Sequence, residues 1–494
     1  MKYLVGIDNG GTFVKAAIFN EDGKQISIAS SPVKTITPAP GFAERDIDDL
    51  WEANTVAIRQ AVKESGVNAA DIAGVSFSGH GKGLYLINKD GKPAYNGILS
   101  QDNRAWNYIE KWKNDGTAEK VYKKTFQDIL ACQPVSLLAW LRDNQPEVLE
   151  NTKYIFSAKD CVRFMLTGQA FGEYTDFSGG NLINLNTKEY DIELLEFFGL
   201  EQFFGLLPPL KYSSELCGSI TTQAAATTGL PEGTPVAAGM FDVNACGLAS
   251  GLVDEFALCM IAGTWSINEY IAKTPVTNGT VSLNSMYCIP GFFLIEESSP
   301  TSAGNLEWFI QQLTDAKMTY KEANALVETV GPEDNSVIFL PFLNGSNEDA
   351  IAKAAWVGLT AYHEKKHVLR SLYEGIVFSH TTHVKKLLLN REPPSFIRLS
   401  GGAVNSSVWV QMFADMLQIP ISIAGDRELG CLGASIAAGI AAGIYQSFED
   451  AVEKTTGATK LISPRKEYAD IYAKKYDTYR AVVEALSKVW PRFT

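Results

Sequence analysis

The sequence contains two glycine–threonine turns about half the chain apart, and each lies between two short apolar runs. The first stretch is YLVGIDNGGTFVKAAIF (residues 3–19) and the second is FALCMIAGTWSINEYIA (residues 256–272). In the first, the second apolar run ends at a NEDG turn signal, which favours a second strand over a helix. Each stretch is therefore predicted to form a β-hairpin. Such turns also recur by chance, but the repeat favours two related domains.

Length and composition agree with two large domains. A chain of 494 residues is too long for one ordinary core, and 46% hydrophobic with 20% charged residues is typical of a soluble globular protein. The formal charge of −13 argues against a nucleic-acid-binding surface. Seven scattered cysteines without a CxxC pair indicate reduced thiols and no zinc site, which predicts a cytoplasmic location. A homodimer is one assembly left open.

No membrane partner is expected. The N-terminal apolar run is cut at Asp8, too soon for a signal peptide. Residues 429–448, LGCLGASIAAGIAAGIYQSF, are uncharged and long enough on paper to span a bilayer. Glycine and alanine dominate them, however, which predicts a helix packed tightly inside a domain.

The first turn has the composition of an anion site but not the spacing of a familiar one. It fits neither a dinucleotide fingerprint nor a P-loop. Its glycines allow backbone amides to approach a phosphate, whereas Asp8 would repel one unless Mg²⁺ and its waters lie between them. The alternative is a tight hairpin with a solvent-facing aspartate.

Asp242 follows a predicted strand through residues 236–238 and opens a small-residue helix in GTPVAAGMFDVNACGLASG. Aspartate is a preferred helix N-cap, so a capping role is the plain interpretation. A carboxylate facing a phosphate site is also suited to accept the proton of an attacking hydroxyl. The segment alone leaves both open.

Three further polar turns follow predicted strands. In FIRLSGGAVNSSVWVQMFADMLQ (residues 396–418), two glycines follow a strand that ends at Ser400, and Asn405 or Ser406 caps a helix. The glycines either allow the backbone to lie flat against a ligand or serve only to connect the strand to the helix. The turns in GVSFSGHGKGLYLI and ILSQDNRAW supply polar groups that can bind sugar hydroxyls, although a solvated hairpin tip explains the same residues and is the plainer interpretation without context.

Together these stretches resemble the FGGY carbohydrate kinases of the actin, Hsp70 and sugar-kinase superfamily, from Tyr3 to about Gly443. GIDNGGTFVK is similar to the family's first phosphate motif, GMFDVNACG to its catalytic-aspartate segment, AGTWS to its second phosphate motif, and SGGAVNSSVWVQMFAD to its adenosine motif. GFAERDIDDLW also matches, with Phe42 where the family usually has Trp. The resemblance implies an α/β fold of two actin-like ATPase (ribonuclease H-like) domains, 1–246 and 247–494, flanking a deep catalytic cleft.

The resemblance also implies a role for each matching residue. Asp242 would be the general base, and Asp8 would hold Mg²⁺ through water, with Asp242 a second candidate ligand. ATP would be bound by Asp8, Gly11, Thr12, Lys15, Gly263, Thr264, Ala303, Glu307, Gly401, Gly402 and Ser406. Besides Asp242, the sugar would be contacted by His80, Gly81, Lys82, Asp102 and Arg104, although Arg104 is equally explained by pairing with Asp102 or by solvation.

The substrate is narrowed by motifs within the family. SGHGKG departs from the SGQMHG of D-xylulose kinases and the NQRE of glycerol kinases. GKGLYLINKDGKP, GILSQDNRA, SPTSAGNLEWF and YEGIVFSH are most similar to the branch that phosphorylates L-xylulose and 3-keto-L-gulonate at a terminal primary hydroxyl. Other substrates (D-xylulose, gluconate, glycerol or another polyol) are alternatives, as are an actin- or Hsp70-like ATPase without a sugar and a non-catalytic sugar sensor.

Overall fold

The computed structural model describes residues 1–424, 428–457 and 459–493, and within them the chain forms two seven-stranded sheets. Both predicted hairpins are confirmed as antiparallel strand pairs, Tyr3–Asn9 with Phe13–Asn20 and Leu258–Ala262 with Ser266–Ala272. In each sheet the first hairpin strand also pairs in parallel with a later strand, Ile72–Gly79 or Ile397–Ser400. The two sheets therefore share their central arrangement.

The remaining strands extend each sheet on both sides. The first sheet has the spatial order Leu216–Ser219, Pro235–Ala237, Ile72–Gly79, Tyr3–Asn9, Phe13–Asn20 and Gln25–Pro32, with Met240–Phe241 also beside Ile72–Gly79. The second has the order Leu283–Met286, Phe293–Ser299, Ser266–Ala272, Leu258–Ala262, Ile397–Ser400, Ile421–Ile423 and Lys460–Ile462. Short pairs lie outside them: Glu44–Arg45 with Gly97–Ile98, Tyr85–Asn88 with Thr152–Phe156, Gly172–Glu173 with Leu210–Lys211, Ile183–Asn184 with Glu189–Tyr190, and Ile338–Leu340 with Ala355–Val357.

Helices cover the sheets. In the first half of the chain the α-helices are Ile47–Ser65, Trp106–Asn114, Thr117–Thr125, Pro134–Asn144, Pro146–Asn151, Ala158–Thr167, Tyr174–Gly179, Ile192–Phe198, Thr222–Thr228 and Asp242–Ala249. In the second half they are Gly304–Trp308, Tyr320–Glu328, Lys365–Leu387, Ser407–Leu417, Leu429–Ala441, Phe448–Thr455 and Ala469–Ser487. Because helices pack on both faces of the first sheet, its central strands are continuous apolar runs rather than alternating ones.

The glycine- and alanine-rich segment forms the buried helix Leu429–Ala441, as the sequence predicts. A Cβ added to Gly6 would lie 1.8 Å from the carbonyl oxygen of Cys431, so the strand and helix backbones touch directly. A Cβ added to Gly433 would lie 2.2 Å from the carbonyl oxygen of Ala245. The helix thus packs closely on the first sheet and on helix Asp242–Ala249. Across the described chain, no helix combines the length and apolarity needed to cross a membrane.

The predicted division between residues 246 and 247 lies inside helix Asp242–Ala249, and it stays a prediction. This helix leaves the first sheet at Phe241, and the second sheet begins at Leu258. Its first residue is therefore at the carboxyl end of a strand that is parallel to Ile72–Gly79, which is in turn parallel to Tyr3–Asn9. Ligands of open α/β sheets bind at such carboxyl ends.

Candidate active site

Asp8 and Asp242 lie on either side of strand Ile72–Gly79, where the three parallel strands end. Asp8 is opposite Ser78 in the sheet, and its Oδ1 accepts a hydrogen bond of 2.7 Å from Ser78 Oγ. Gly430 lies behind the Asp8 carboxyl group, since a Cβ on Gly430 would be 3.0 Å from Asp8 Cγ. Burial raises the pKa of Asp8, although the Ser78 bond opposes the shift. The Asp8 side chain is therefore half-buried and held in position by Ser78 and by the backbone at Gly430.

Asp242 does not cap its helix, so the capping interpretation is wrong. The helix begins at Asp242 itself, the N-cap position is Phe241, and no side-chain capping bond is formed there. Burial raises the pKa of Asp242 well above its usual value, and the charges of Asp8 and Asp176 raise it further. A hydrogen bond from the Val243 backbone N–H and the charge of Lys82 act in the opposite direction. A carboxyl group in these surroundings is suited to accept a proton.

The first glycine turn presents backbone amides to solvent. Gly10 N donates to Phe13 O at 3.0 Å, whereas the N–H groups of Gly11 and Thr12 have no partner in the described part of the chain. Arg45, which the sequence analysis missed, is fully buried and donates to the carbonyls of Gly10 (3.2 Å) and Gly11 (2.5 Å). It therefore fixes the turn from the carbonyl side and leaves the amides for an anion.

Lys15 lies on the second strand of the same hairpin, opposite Asp8. Its Nζ forms an ion pair of 2.8 Å with Glu428 Oε2. The predicted phosphate contact of Lys15 would therefore compete with a carboxylate from the start of helix Leu429–Ala441.

The second turn borders a cavity of about 420 Å³ in the C-terminal half. Six of the residues expected to bind ATP line it together: Gly263, Thr264, Ala303, Glu307, Gly402 and Ser406. Gly401 is next to it, with φ of 85°, and a Cβ there would lie 2.6 Å from the carbonyl oxygen of Ala262. Close approach and backbone conformation thus both require glycine at 401.

One wall of this cavity is a hydrogen-bonded cluster that the sequence analysis only partly found. Ser406, rather than Asn405, caps helix Ser407–Leu417 by accepting from Trp409 N. Asn324 Oδ1 accepts from Ser406 Oγ at 2.7 Å and from Tyr373 Oη at 2.8 Å. Tyr373 opens the YEGIVFSH motif and Trp409 lies within the adenosine motif, and these motifs were the only sequence signals for the two residues. Asn324 had no such signal.

The turn at residues 80–83 is buried except for Lys82, which is half-buried, so it is not a solvated hairpin tip. Its flanking strands belong to different sheets: Ile72–Gly79 pairs in the first sheet, whereas Tyr85–Asn88 pairs with Thr152–Phe156. His80 Nε2 lies 2.8 Å from Tyr85 Oη, and burial lowers the pKa of His80 to about 3. A Cβ on Gly81 would lie 2.3 Å from the Phe241 ring. The geometry gives His80 and Gly81 a packing role beside their predicted sugar contacts.

Lys82 is the one cation of this turn. It has a left-handed backbone (φ 61°), and its Nζ lies 5.6 Å from the centre of the Phe241 ring. Within the described residues its ammonium group forms no ion pair. Lys82 lines a small cavity together with Asp176 and Ser157. It is therefore placed beside the Asp242 segment with its charge available.

Asp102 and Arg104 form an ion pair. Pairing with Asp102 was one of the two alternatives to a sugar contact that the sequence left open for Arg104. Arg104 Nε lies 2.9 and 3.0 Å from the two carboxyl oxygens of Asp102, and its Nη2 bonds Glu44 Oε1 at 2.6 Å. The guanidinium lies 4.0 Å from the centre of the Phe42 ring and 5.0 Å from that of Trp140. Both side chains are buried, so they hold the Phe42 segment in place and leave few free polar atoms.

Comparison with known proteins agrees with this geometry. Residues 3–249 match the N-terminal domain of the FGGY family of carbohydrate kinases, and residues 258–442 match its C-terminal domain. An L-xylulose/3-keto-L-gulonate kinase from Escherichia coli (strain K12) is 36% identical over 487 residues, which cover 98% of this chain and 97% of that protein. A probable L-xylulose kinase from Pasteurella multocida (strain Pm70) is 36% identical over 98% of this chain and 99% of its own length.

A solved structure shows the same fold. The crystal structure of gluconate kinase from Lactobacillus acidophilus superimposes with a TM-score of 0.92 at 25% identity and covers 100% of both chains. FGGY kinases are phosphotransferases with an alcohol group as acceptor and ATP as phosphate donor. The chain therefore belongs to the FGGY family of carbohydrate kinases, has its two-domain actin-like fold, and is a kinase that phosphorylates a small sugar.

Proposed function

We propose that this kinase transfers the γ-phosphate of ATP to the terminal primary hydroxyl of a ketose or ketose acid, L-xylulose or 3-keto-L-gulonate or both. The observation that carries the proposal is the position of Asp242. It is the first residue of its helix, and it follows a strand of the first sheet at the end where the parallel strands finish. It therefore lies beside both the Asp8 end of the phosphate turn and the Lys82 turn.

Asp242 is the general base of the proposed reaction. It accepts the proton of the substrate hydroxyl as that oxygen forms a bond to the γ-phosphorus, and the bond from the γ-phosphorus to the bridging oxygen breaks to release ADP. The amides of Gly11 and Thr12 and the Gly263–Thr264 turn bind the phosphates, and the cavity beside Ser406 holds the nucleoside.

The two aspartates also fit a magnesium ion. In the described part of the chain, no group of three or more His, Cys, Asp or Glu side chains is placed to hold a metal ion. Mg²⁺ is commonly held by one or two carboxylates, waters and substrate phosphates. Asp8, through water, and Asp242 as a second ligand are the residues that would hold it, and the ion would offset phosphate charge. The two carboxyl groups are close enough for the charge of Asp8 to raise the pKa of Asp242.

The sugar is inferred from the relatives and from Lys82. Relatives that are 36% identical over almost the whole chain are named for L-xylulose, and one of them also for 3-keto-L-gulonate. Lys82 has no carboxylate partner within the described ranges and can therefore meet a substrate carboxylate. This supports a ketose acid at least as much as the neutral pentulose.

A cytoplasmic location belongs to the same proposal. It is supported by the seven cysteines, which are all free thiols. A homodimer stays a prediction.

ADP release measured with a coupled assay tests the proposed function. The panel contains L-xylulose, 3-keto-L-gulonate, D-xylulose, gluconate and glycerol, with a blank that contains no sugar. The proposal predicts the highest kcat/KM for L-xylulose or 3-keto-L-gulonate, and phosphate on the terminal carbon in product NMR. Faster turnover of D-xylulose, gluconate or glycerol would contradict the proposed substrate, and equal ADP release without sugar would favour a plain ATPase.

A further inference from the structure

A cluster of five charged side chains is buried next to the segment that carries Asp242. We call Lys159, Asp160, Arg163, Glu173 and Asp176 the buried ion cluster. Lys159 Nζ lies 2.9 Å from Asp160, 2.9 Å from Asp176 and 3.3 Å from Glu173. Arg163 Nη1 lies 2.6 Å from Asp160 Oδ1. Four of these residues are fully buried, and Asp176 is 5% exposed.

Stability alone does not account for such a cluster. Moving five charges out of water costs much of what their attraction returns, so apolar packing of similar volume is often equally stable. The cluster also contains three carboxylates against two cations. A role in fixing a neighbouring segment is a hypothesis that its contacts can support or exclude.

The cluster is hydrogen-bonded to residues 238–241, once directly and once through Thr175. Arg163 Nη1 donates to the carbonyl oxygen of Ala238 at 2.6 Å. The backbone N–H of Phe241 donates to Thr175 Oγ1 at 2.8 Å. Thr175 in turn donates its hydroxyl proton to Glu173 Oε2 at 2.6 Å. Since a hydroxyl has one proton, the bond to Glu173 leaves the Thr175 oxygen as an acceptor for Phe241.

Phe241 immediately precedes Asp242, so this bond lies one peptide unit from the proposed base. The strand before it is only two residues long, Met240–Phe241, and the sheet alone gives it few bonds. Glu173 is also held from its other oxygen, since Ser213 Oγ donates to Oε1 at 2.8 Å. The buried ion cluster therefore anchors an acceptor that sets where helix Asp242–Ala249 begins.

We infer that Thr175 is a positioning residue for Asp242, with Glu173 orienting its hydroxyl. Thr175 touches no reacting atom in this account; it holds the peptide before Asp242 so that the carboxyl group meets the sugar hydroxyl. The inference rests on the proposed role of Asp242. Misplacement of a catalytic group by about 1 Å can cost on the order of 100-fold in rate, so loss of this bond acts on turnover.

The test compares two substitutions at Thr175 with a matched control. Thr175→Val keeps the shape and removes the hydroxyl, whereas Thr175→Ser keeps the hydroxyl. Thr228 is the control because it is equally buried and its hydroxyl makes the same kind of bonds, donating to Ala224 O at 2.7 Å and accepting from Leu230 N at 3.3 Å. Thr228→Val therefore removes a buried hydroxyl with one donated and one accepted bond at the end of helix Thr222–Thr228, which carries none of the proposed site residues.

Melting temperature, kcat and both KM values are measured for each variant with ATP and the best sugar of the panel. We expect kcat to fall by about 10- to 100-fold in Thr175→Val while both KM values stay within about threefold. We expect Thr175→Ser and Thr228→Val to keep kcat within about threefold of the parent. If Thr175→Val does not fold, Thr175→Ala makes the same deletion with a smaller side chain.

Three results would overturn the inference while the parent is active: normal kcat in Thr175→Val, equal loss in Thr175→Ser, or equal loss in Thr228→Val. A parent that phosphorylates no sugar of the panel would instead refute the proposed function, and the positioning role with it. The two failures are thus distinguishable.

Discussion

Replacing Lys82 should lower kcat/KM for an acidic sugar much more than for a neutral one. In Lys82→Met the side chain keeps much of its length and loses its charge. A charge-assisted hydrogen bond to a substrate carboxylate contributes about 1.5 to 3 kcal/mol. At about 1.4 kcal/mol per factor of ten, kcat/KM for 3-keto-L-gulonate should fall by about 10- to 100-fold.

The neutral pentulose should lose much less. The substitution also removes the contact of Lys82 Nζ with the Phe241 ring, 5.6 Å away, and such a contact contributes about 0.5 to 1 kcal/mol. That loss applies equally to both substrates. For L-xylulose we therefore expect a decrease of only about two- to fivefold in the same coupled assay.

Lys188 supplies the matched control. It has φ of 62° against 61° for Lys82, its Nζ lies 5.2 Å from the centre of the Phe293 ring, and it is half-buried like Lys82. It lines neither the nucleotide cavity nor the Lys82 cavity. Lys188→Met should leave both substrates unchanged. Equal losses for the two substrates in Lys82→Met would refute a carboxylate contact and indicate a shared hydroxyl or support of the turn.

Two further predictions concern stability and nucleotide binding. Burial and the charge of Glu296 raise the pKa of Glu269, so the folded state retains a proton that the unfolded state loses above about pH 4.5. The free energy of unfolding of the parent therefore falls as pH rises. Relative to the parent, the free energy of unfolding of Glu269→Gln should rise by up to about 1.4 kcal/mol per pH unit between pH 5 and 8, until the pKa of Glu269 in the folded state is reached. Urea unfolding measures this difference. Glu297 is the contrasting case, because its contacts with His383 and Lys386 outweigh burial and lower its pKa. Glu297→Gln should therefore be less stable than the parent, by an amount that the titration of Glu297 leaves unchanged between pH 5 and 8 and that shrinks only below about pH 4.5. A gain in stability between pH 5 and 8 would contradict the argument. Ser406→Ala and Ser447→Ala each remove a helix N-cap that contributes about 1 kcal/mol to stability. Only Ser406 lies at the nucleotide cavity, so only Ser406→Ala should raise KM for ATP, by about three- to tenfold. An equal rise of KM in both variants would show that Ser406 does not contact the nucleotide.

The features that the sequence predicted well are set by local patterns or by motifs in family order. Both hairpins follow from apolar runs interrupted by glycine, and glycine and alanine dominate the buried helix Leu429–Ala441. The nucleotide residues are distant in sequence, and only the family resemblance linked them. Their meeting in one cavity depends on the shared arrangement of the second sheet.

Other features of the site could not be predicted from the sequence, because they depend on contacts with residues far along the chain. The residues around His80 are compatible with either a solvated hairpin tip or a buried turn. The turn is buried because strand Thr152–Phe156 pairs with the strand that follows it. Arg45 supports the first turn by burying its guanidinium there, and no local pattern marks that contact. The capping hypothesis for Asp242 failed by one residue, and helix ends are seldom predictable to that accuracy.

The most direct test of the account is the turnover of Asp242→Asn, measured together with sugar binding by calorimetry. The substitution keeps the shape of the side chain and removes its ability to take the hydroxyl proton. We expect kcat to fall by about 100-fold or more, with Kd for the sugar within a few-fold of the parent, as for the loss of a general base. Near-normal kcat with unchanged sugar binding would contradict the central claim that Asp242 is the base of the phosphate transfer.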